Sequence, residues 1–141
     1  MKIYVLRHGT TELNKQKILN GQIDEGLAPE GIELAKNIQL PKTVTHIYSS
    51  PMLRTRQTTA IVSQPQTKII FADAIREVNM GTLAGKSWHL MENGQALKIK
   101  HRSIQYDYRE IGGESATDVK NRVKSFLKKI NNQYQDYEVM L

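Results

Sequence analysis

Lys2-Ile3-Tyr4-Val5-Leu6-Arg7-His8-Gly9 is the stretch on which the fold reading turns. Lys2 to Leu6 is a β-branched and aromatic run that stops at a polar Arg-His-Gly, the pattern of a buried strand ending in a turn. Downstream, Pro29 suits the first position of a helix on which Ile32, Ala35 and Ile38, with Leu34, share one face. Val44 to Tyr48 predicts a second strand. Ser49-Ser50-Pro51 then reads as a hydroxyl cap with proline at the first helical position, opening a helix that runs to about Ser63. Lys68 to Phe71 predicts a third strand. The stretch from Asp73 to Gly85 is irregular, helical signal resumes weakly near Ser87, and Gly94 to Gly113 is mixed, with Ile104, Tyr106 and Tyr108 in alternation. Ser115 and Asp118 form a capping box before Val119, Val123, Phe126, Leu127, Ile130 and Tyr134, which trace one helical face. Glu138 to Leu141 reads as the start of a further strand. Strands alternating with helices predict an α/β layered domain with a largely parallel sheet, whose ligands bind beyond the carboxyl ends of the strands.

Composition narrows the chemistry. With 141 residues, 39% hydrophobic and 24% charged, the chain can bury a core without staples, and residues 1–141 are expected to form one domain. The absence of cysteine excludes disulfides, thiolate metal sites and a cysteine nucleophile. No apolar run approaches the roughly 20 residues of a membrane span, and Met1 to Leu6 is too short for a signal-peptide core, so a cytoplasmic protein without a membrane partner is expected. The formal charge of +6 makes anionic partners plausible. Residues 1–70 carry nine basic and five acidic side chains, and the remainder eleven and nine, so no charged pole emerges. Lys120, Arg122, Lys124, Lys128 and Lys129 on the last helix read as a solvated face rather than a nucleic-acid surface, because no aromatic platform accompanies them.

His8 lies where α/β proteins place ligands, next to a glycine that lets a ligand approach the backbone. A lone histidine is more often structural, so the weight comes from its company. Arg54 stands one turn into the helix that follows the second strand, and with Arg7 it can present planar forks to an oxyanion at a helix end. Arg56 reads as a solvated helix charge.

Taken together, these motifs resemble the histidine phosphatase superfamily, the phosphoglycerate-mutase-like enzymes. Leu6-Arg7-His8-Gly9-Thr10-Thr11-Glu12-Leu13-Asn14 resembles the Arg-His-Gly signature, and Ser49-Ser50-Pro51-Met52-Leu53-Arg54-Thr55-Arg56-Gln57-Thr58 resembles the second motif. Glu77 with Gly81 and Gly85 resembles the acidic loop, and Gly113-Glu114-Ser115 with Arg122 the segment before the last long helix. The resemblance implies a three-layer α/β/α fold with a mostly parallel sheet. It also implies a His8 nucleophile that forms a phosphohistidine, phosphoryl binding by Arg7, Asn14 and Arg54, and proton donation by Glu77. Elementary chemistry agrees: imidazole attacks phosphorus only when neutral, guanidinium charges disfavour its protonation, and the same charges stabilise the transferring phosphoryl group.

The departures are informative. Thr10 stands where many members carry glutamate, and Ala28 replaces a frequent threonine cap before Pro29. The resemblance implies a second catalytic histidine just after the fourth strand, whereas the sequence ends at Leu141 inside that strand; a fragment with weak hydrolysis is therefore expected. His46, expected at the opposite end of the sheet, and His89 and His101, in the variable segment, read as ordinary surface histidines. The short insertion at residues 86–112 favours a phosphatase of a small phosphate monoester, of which α-ribazole phosphatase is an example, over a mutase. A non-catalytic phosphate-binding module is the alternative from another class. Trp88, with Leu90 and Met91, reads as core or lid packing. No cofactor or metal is expected, the expected partner is a small phosphorylated metabolite, and oligomeric state is not encoded legibly.

Overall fold

In the computed structural model, residues 2–133 and 138–140 are described. Among them, strands β1 (Lys2–Tyr4), β2 (Val44–Ser49), β3 (Lys68–Phe71) and β4 (Glu138–Met140) form a sheet in the order β1-β4-β2-β3, every pair parallel. Parallel neighbours require crossovers, and helix α3 (Leu53–Val62) supplies the one between β2 and β3. Helices α2 (Pro29–Lys36) and α3 pack against each other, while α5 (Ala116–Gln133) is the longest helix of the described residues.

Alternation along β2 builds the layers, since successive side chains on a strand point to opposite faces. Ile47 joins Val44, Val62 and Met140 in one buried cluster with Leu6, Ile38 and Leu40 around it. Its neighbour Tyr48 packs on the other face with Phe126 and Ile130 of α5, the Tyr48 and Phe126 rings meeting edge to face at 5.3 Å. The expected three-layer α/β/α order follows. The carboxyl ends of β1 and β2 lie side by side across β4, so Arg7-His8-Gly9 and Ser49-Ser50 emerge at one edge of the sheet.

Several local expectations are corrected. Among the described residues β1 spans Lys2–Tyr4 rather than running through Leu6, and Val5, just after it, is 82% exposed. On α2, Ala35 is buried but Leu34 is 59% exposed, off the packed face. Ala28 caps α2 without a side-chain hydrogen bond, leaving Pro29 to fix the start. Helix α3 begins two residues after Pro51, with Met52 at the cap position. Two helices were not anticipated: the short α1 (Glu12–Lys15), closed by a reciprocal Thr11–Asn14 cap, and α4 (Gly94–Arg102) inside the mixed stretch. The capping box of Ser115 and Asp118 is formed in both directions. Tyr134 and Leu141 lie outside the described residues.

The irregular stretch from Asp73 to Gly113 gathers its own small core of Val78, Met80, Leu83 and Tyr108, against which Trp88 and Met91 pack. Leu90, in contrast, is exposed.

Candidate active site

The turn after β1 presents His8 with a defined ring state. Its Nδ1 lies 2.7 Å from the Gly9 carbonyl oxygen. A carbonyl can only accept, so Nδ1 carries the proton and, in the neutral ring, Nε2 keeps its lone pair. The turn itself is tied to α3: the Gly9 amide donates to Thr58 Oγ1 at 3.0 Å, and that hydroxyl donates to the Arg54 carbonyl at 2.8 Å. Glycine is required at position 9 because a Cβ there would stand 2.6 Å from the Gly31 carbonyl oxygen at the start of α2.

His8 opens onto a cavity of about 240 Å³ lined by the hydroxyl-bearing Ser49, Ser50, Thr55, Thr58 and Thr59, with an apolar floor that includes Met140. It is the only histidine in that lining. Burial lowers the imidazole's proton affinity, and the charges of Arg54 and Arg7 lower it further. The Gly9 hydrogen bond and the carboxylate of Glu77 oppose them. Desolvation, more than the guanidinium charges stressed by the sequence reading, keeps the ring neutral.

Arg54 is 1% exposed. Its guanidinium donates to the carbonyls of Ile23 and Gly21, both at 2.9 Å, while its buried Nε has no partner. Burial lowers the proton affinity of this guanidinium, and the nearby carboxylates of Glu77, Glu25 and Asp24 counter that effect. The helix end expected to hold an oxyanion is already used: the amide of Leu53 donates to Asp24 Oδ1 at 2.6 Å and that of Arg54 to the Glu25 carbonyl at 3.0 Å.

The remaining candidates sit around this centre. Arg7 is exposed and reaches His8 through its charge. Glu77 is also exposed; its Oε1 accepts from its neighbour Val78's amide at 2.9 Å, and its carbonyl accepts from Gln22 Nε2 at 3.0 Å. Asn14 does not line the cavity, and neither do Arg7, Arg54 and Glu77. Asn14 closes the α1 cap with Thr11 and donates to Asn20 Oδ1 at 3.1 Å, within a network that Asn20 extends to Glu25 at 2.8 Å. The charges of Arg54, Arg7 and Glu77 act on His8, while the Asn14 side chain is engaged with Thr11 and Asn20. Thr58 went unassigned by the sequence reading although it lies within the quoted second motif; a hydroxyl one helical turn after Arg54 was the available signal.

Two surface readings are overturned. His101 is no ordinary surface histidine: its ring stacks on Tyr106 at 5.1 Å, its Nδ1 lies 3.0 Å from Tyr108 Oη, and Trp88 leans on it at 5.9 Å. Tyr106 and Tyr108, two apart in the alternating run, stack on each other at 5.1 Å. Arg122 leaves the solvated face of α5 and pairs with Glu114, with Nε 2.8 Å from Oε1. His46 lies within β2, its Nδ1 2.9 Å from Thr45 Oγ1. Among the described residues no three or more His, Asp or Glu side chains gather as a metal ion needs, and no helix is long and apolar enough to cross a membrane.

Residues 3–141 match the family model described as histidine phosphatase superfamily (branch 1). A Hydrogenobacter thermophilus protein named "Putative phosphoserine phosphatase 2" is 29% identical over 99% of this chain and 70% of its own length. An Escherichia coli protein named "Probable phosphoglycerate mutase GpmB" is 32% identical over 91% of this chain. The match spans 62% of that relative's length. The crystal structure of phosphoglycerate mutase from Thermus thermophilus superposes with a TM-score of 0.83 at 26% identity, covering 100% of this chain and 76% of the other.

Proposed function

The chain belongs to the histidine phosphatase superfamily, and from that premise we propose that it takes the phosphoryl group of a small phosphate monoester onto His8 and passes it to water. One observation carries the reading: an imidazole whose Nδ1 proton is committed to the Gly9 carbonyl, leaving Nε2 unprotonated beside buried and exposed guanidinium groups. In the first step Nε2 attacks phosphorus as the bond from phosphorus to the ester oxygen breaks, and Glu77, entering as the carboxylic acid, supplies the proton that the alkoxide needs. In the second step water attacks phosphorus, the phosphorus–nitrogen bond breaks, its electrons return to the ring, and Glu77 regains a proton from the water. Arg54 and Arg7 offset the charge on the transferring group, and Asn14, through Asn20, supports the loop that holds Arg54. The partner is a small phosphorylated metabolite; no cofactor or nucleic acid enters the proposal. A cytoplasmic location and a single domain over residues 1–141 belong to the same reading.

The test is single-turnover labelling with ³²P-O-phosphoserine and ³²P-3-phosphoglycerate. Acid-labile, base-stable label on the protein is expected, and label that persists in His8→Ala overturns the proposal. Similarity to proteins named as phosphoglycerate mutases favours a second reading, phosphoryl return to a bound acid. Incubation with bisphosphoglycerate and 3-phosphoglycerate separates them: isomerisation without phosphate release identifies a mutase, and phosphate release a phosphatase.

A further inference from the structure

Glu77 sits on an irregular loop, and such a loop gives a carboxyl no fixed place unless something outside it does. Two residues outside the loop grip it on both sides. The Glu114 carboxylate accepts the Asn79 amide at 2.8 Å through Oε2, and the Glu114 amide donates to the Asn79 carbonyl at 2.8 Å, a two-way clasp two residues after Glu77. The same carboxylate takes Arg122 in a fork, Oε1 from Nε at 2.8 Å and Oε2 from Nη2 at 3.1 Å. The guanidinium then spends its other hydrogens on the loop itself, donating to the Ala74 carbonyl at 2.7 Å, three residues before Glu77, and to the carbonyl of Glu77 at 3.5 Å.

The pair is itself fixed. Arg122 stands in the second turn of α5, whose face packs in the core, and both side chains are about four-fifths covered. A planar fork can hold both oxygens of a carboxylate and still reach two carbonyls, four contacts that the three hydrogens of a lysine ammonium cannot all make. Gly81 completes the fit: with φ +54°, a Cβ there would stand 2.0 Å from the Ile111 carbonyl, so the loop lies directly on the segment that delivers Glu114. Burial of the pair raises Glu114's proton affinity, but the hydrogen bonds from Arg122 and Asn79 outweigh it and hold the carboxyl below its ordinary range, so the clasp stays ionised at neutral pH.

We infer that Glu114 and Arg122 are positioning residues for Glu77, a paired clasp that holds the proton donor's loop at fixed depth beside His8. This rests on the proposed phosphohistidine reaction, in which proton donation matters for a poor leaving group and is dispensable for a good one. Neither residue touches the reacting atoms. Loosening the clasp therefore imitates loss of the Glu77 carboxyl, whereas loss of general structure slows every substrate alike.

The experiment compares His8 phosphorylation in single turnover from an alkyl ester, O-phosphoserine, and from p-nitrophenyl phosphate, in E77Q, R122Q, R122K and E114Q. In R122Q and E114Q, as in E77Q, the alkyl ester is expected to slow on the order of 10- to 100-fold with little change for the nitrophenyl ester, and R122K recovers only part. Adding R122Q to E77Q produces little further loss on the alkyl ester. A second readout needs no turnover: the His8 imidazole pKa by NMR in the ligand-free protein. The Glu77 carboxylate raises that pKa, so E77Q lowers it. R122Q is expected to lower it too, although removing a cation would by itself raise it. Equal slowing of both esters in R122Q, or a His8 pKa that rises or stays put in R122Q while falling in E77Q, overturns the positioning role alone. An E77Q protein that keeps its alkyl-ester rate overturns the proton-donor reading and the clasp with it.

Discussion

Thr58→Val removes one oxygen from a buried helix position and tests how the His8 ring is set. Thr58 Oγ1 accepts the Gly9 amide at 3.0 Å and donates to the Arg54 carbonyl at 2.8 Å. Valine keeps the branched shape and loses both bonds. The Arg54 carbonyl lies in α3 and retains the acceptor capacity that the helix uses, so the principal cost is the Gly9 amide left without its partner. An unsatisfied buried donor costs about 1–3 kcal/mol. Gly9 is only partly covered, which places the cost at about 1–2 kcal/mol, or about 3–7 °C in Tm for a domain of this size. The ring should respond as well, because the Gly9 carbonyl that accepts from Nδ1 belongs to the same residue as the untethered amide. Long-range ¹⁵N–¹H correlation on labelled histidine reads the tautomer directly: a single Nδ1–H form is expected in the parent, and a mixture with Nε2–H in Thr58→Val. Thr58→Ser, which loses a methyl but keeps the oxygen, should retain the Nδ1–H form. A Thr58→Val protein that melts within about 1 °C of the parent, well inside the shift expected for a lost buried bond, and keeps one tautomer refutes the idea that α3 sets the ring.

Four further outcomes follow. Because burial lowers the His8 pKa from its ordinary value of 6.5, the half-point of the acid-side decline in His8 phosphorylation should lie below pH 6.5; a half-point at or above pH 6.5 in a stopped-flow pH series contradicts the lowered value. His8, His46 and His101 all bind protons less readily when folded, so the unfolded chain takes up protons first as pH falls. Stability should be full above about pH 6.5 and drop below it, which urea midpoints at pH 7.5 and 5.5 would measure. Gly31→Ala should destabilise by about 1–3 kcal/mol or more, because its Cβ would stand 2.1 Å from the Thr10 carbonyl oxygen in the turn after His8, and an unchanged Tm removes that contact from the account. Phosphoryl transfer to His8 should be insensitive to EDTA, and loss of labelling on chelation contradicts neutralisation by arginines.

What could be read in advance depended on whether a segment's structure is decided locally. β2, β3 and α5 have strong periods and clear caps, and each stands close to where its pattern placed it. α4 hid behind Gly94, which reads as a break in a sequence. Here glycine is demanded by a neighbour instead, since a Cβ would meet the Trp88 carbonyl at 1.8 Å. Lys2 to Leu6 reads as one apolar run, but pairing with β4 reaches only from Lys2 to Tyr4, because hydrophobicity marks a strand without fixing how far its partner runs beside it. His101 and Arg122 were misjudged for a related reason. Their partners, Tyr106, Tyr108 and Glu114, are five to eight residues away along irregular chain, where no period links them.

The start of α3 shows how a local misreading changes the chemistry. Ser49-Ser50-Pro51 has the composition of a helix cap, yet the helix waits until Leu53, and its first amides are taken by Asp24 and the Glu25 carbonyl. An oxyanion approaching His8 therefore does not meet free helix amides there. The positive field must come from side chains, and Arg54 is prepared to supply it: two of its nitrogens are pinned to the Gly21 and Ile23 carbonyls, which fix the fork's orientation, and burial strengthens the field it projects. The loop at residues 21–25 thus does two jobs. It closes the helix end and aims the guanidinium, and Glu25, bonded also to the Leu13 amide and to Asn20, locks that loop to the turn containing Asn14. On this argument Asn14 contributes to phosphate binding by holding Arg54's support in place, so Asn14→Ala should weaken phosphate affinity without shifting the Nδ1–H tautomer of His8. Isothermal titration with inorganic phosphate, paired with the ¹⁵N spectrum, distinguishes this from a direct ligand role, in which Asn14→Asp would be as damaging through charge repulsion and Asn20→Ala would have no effect.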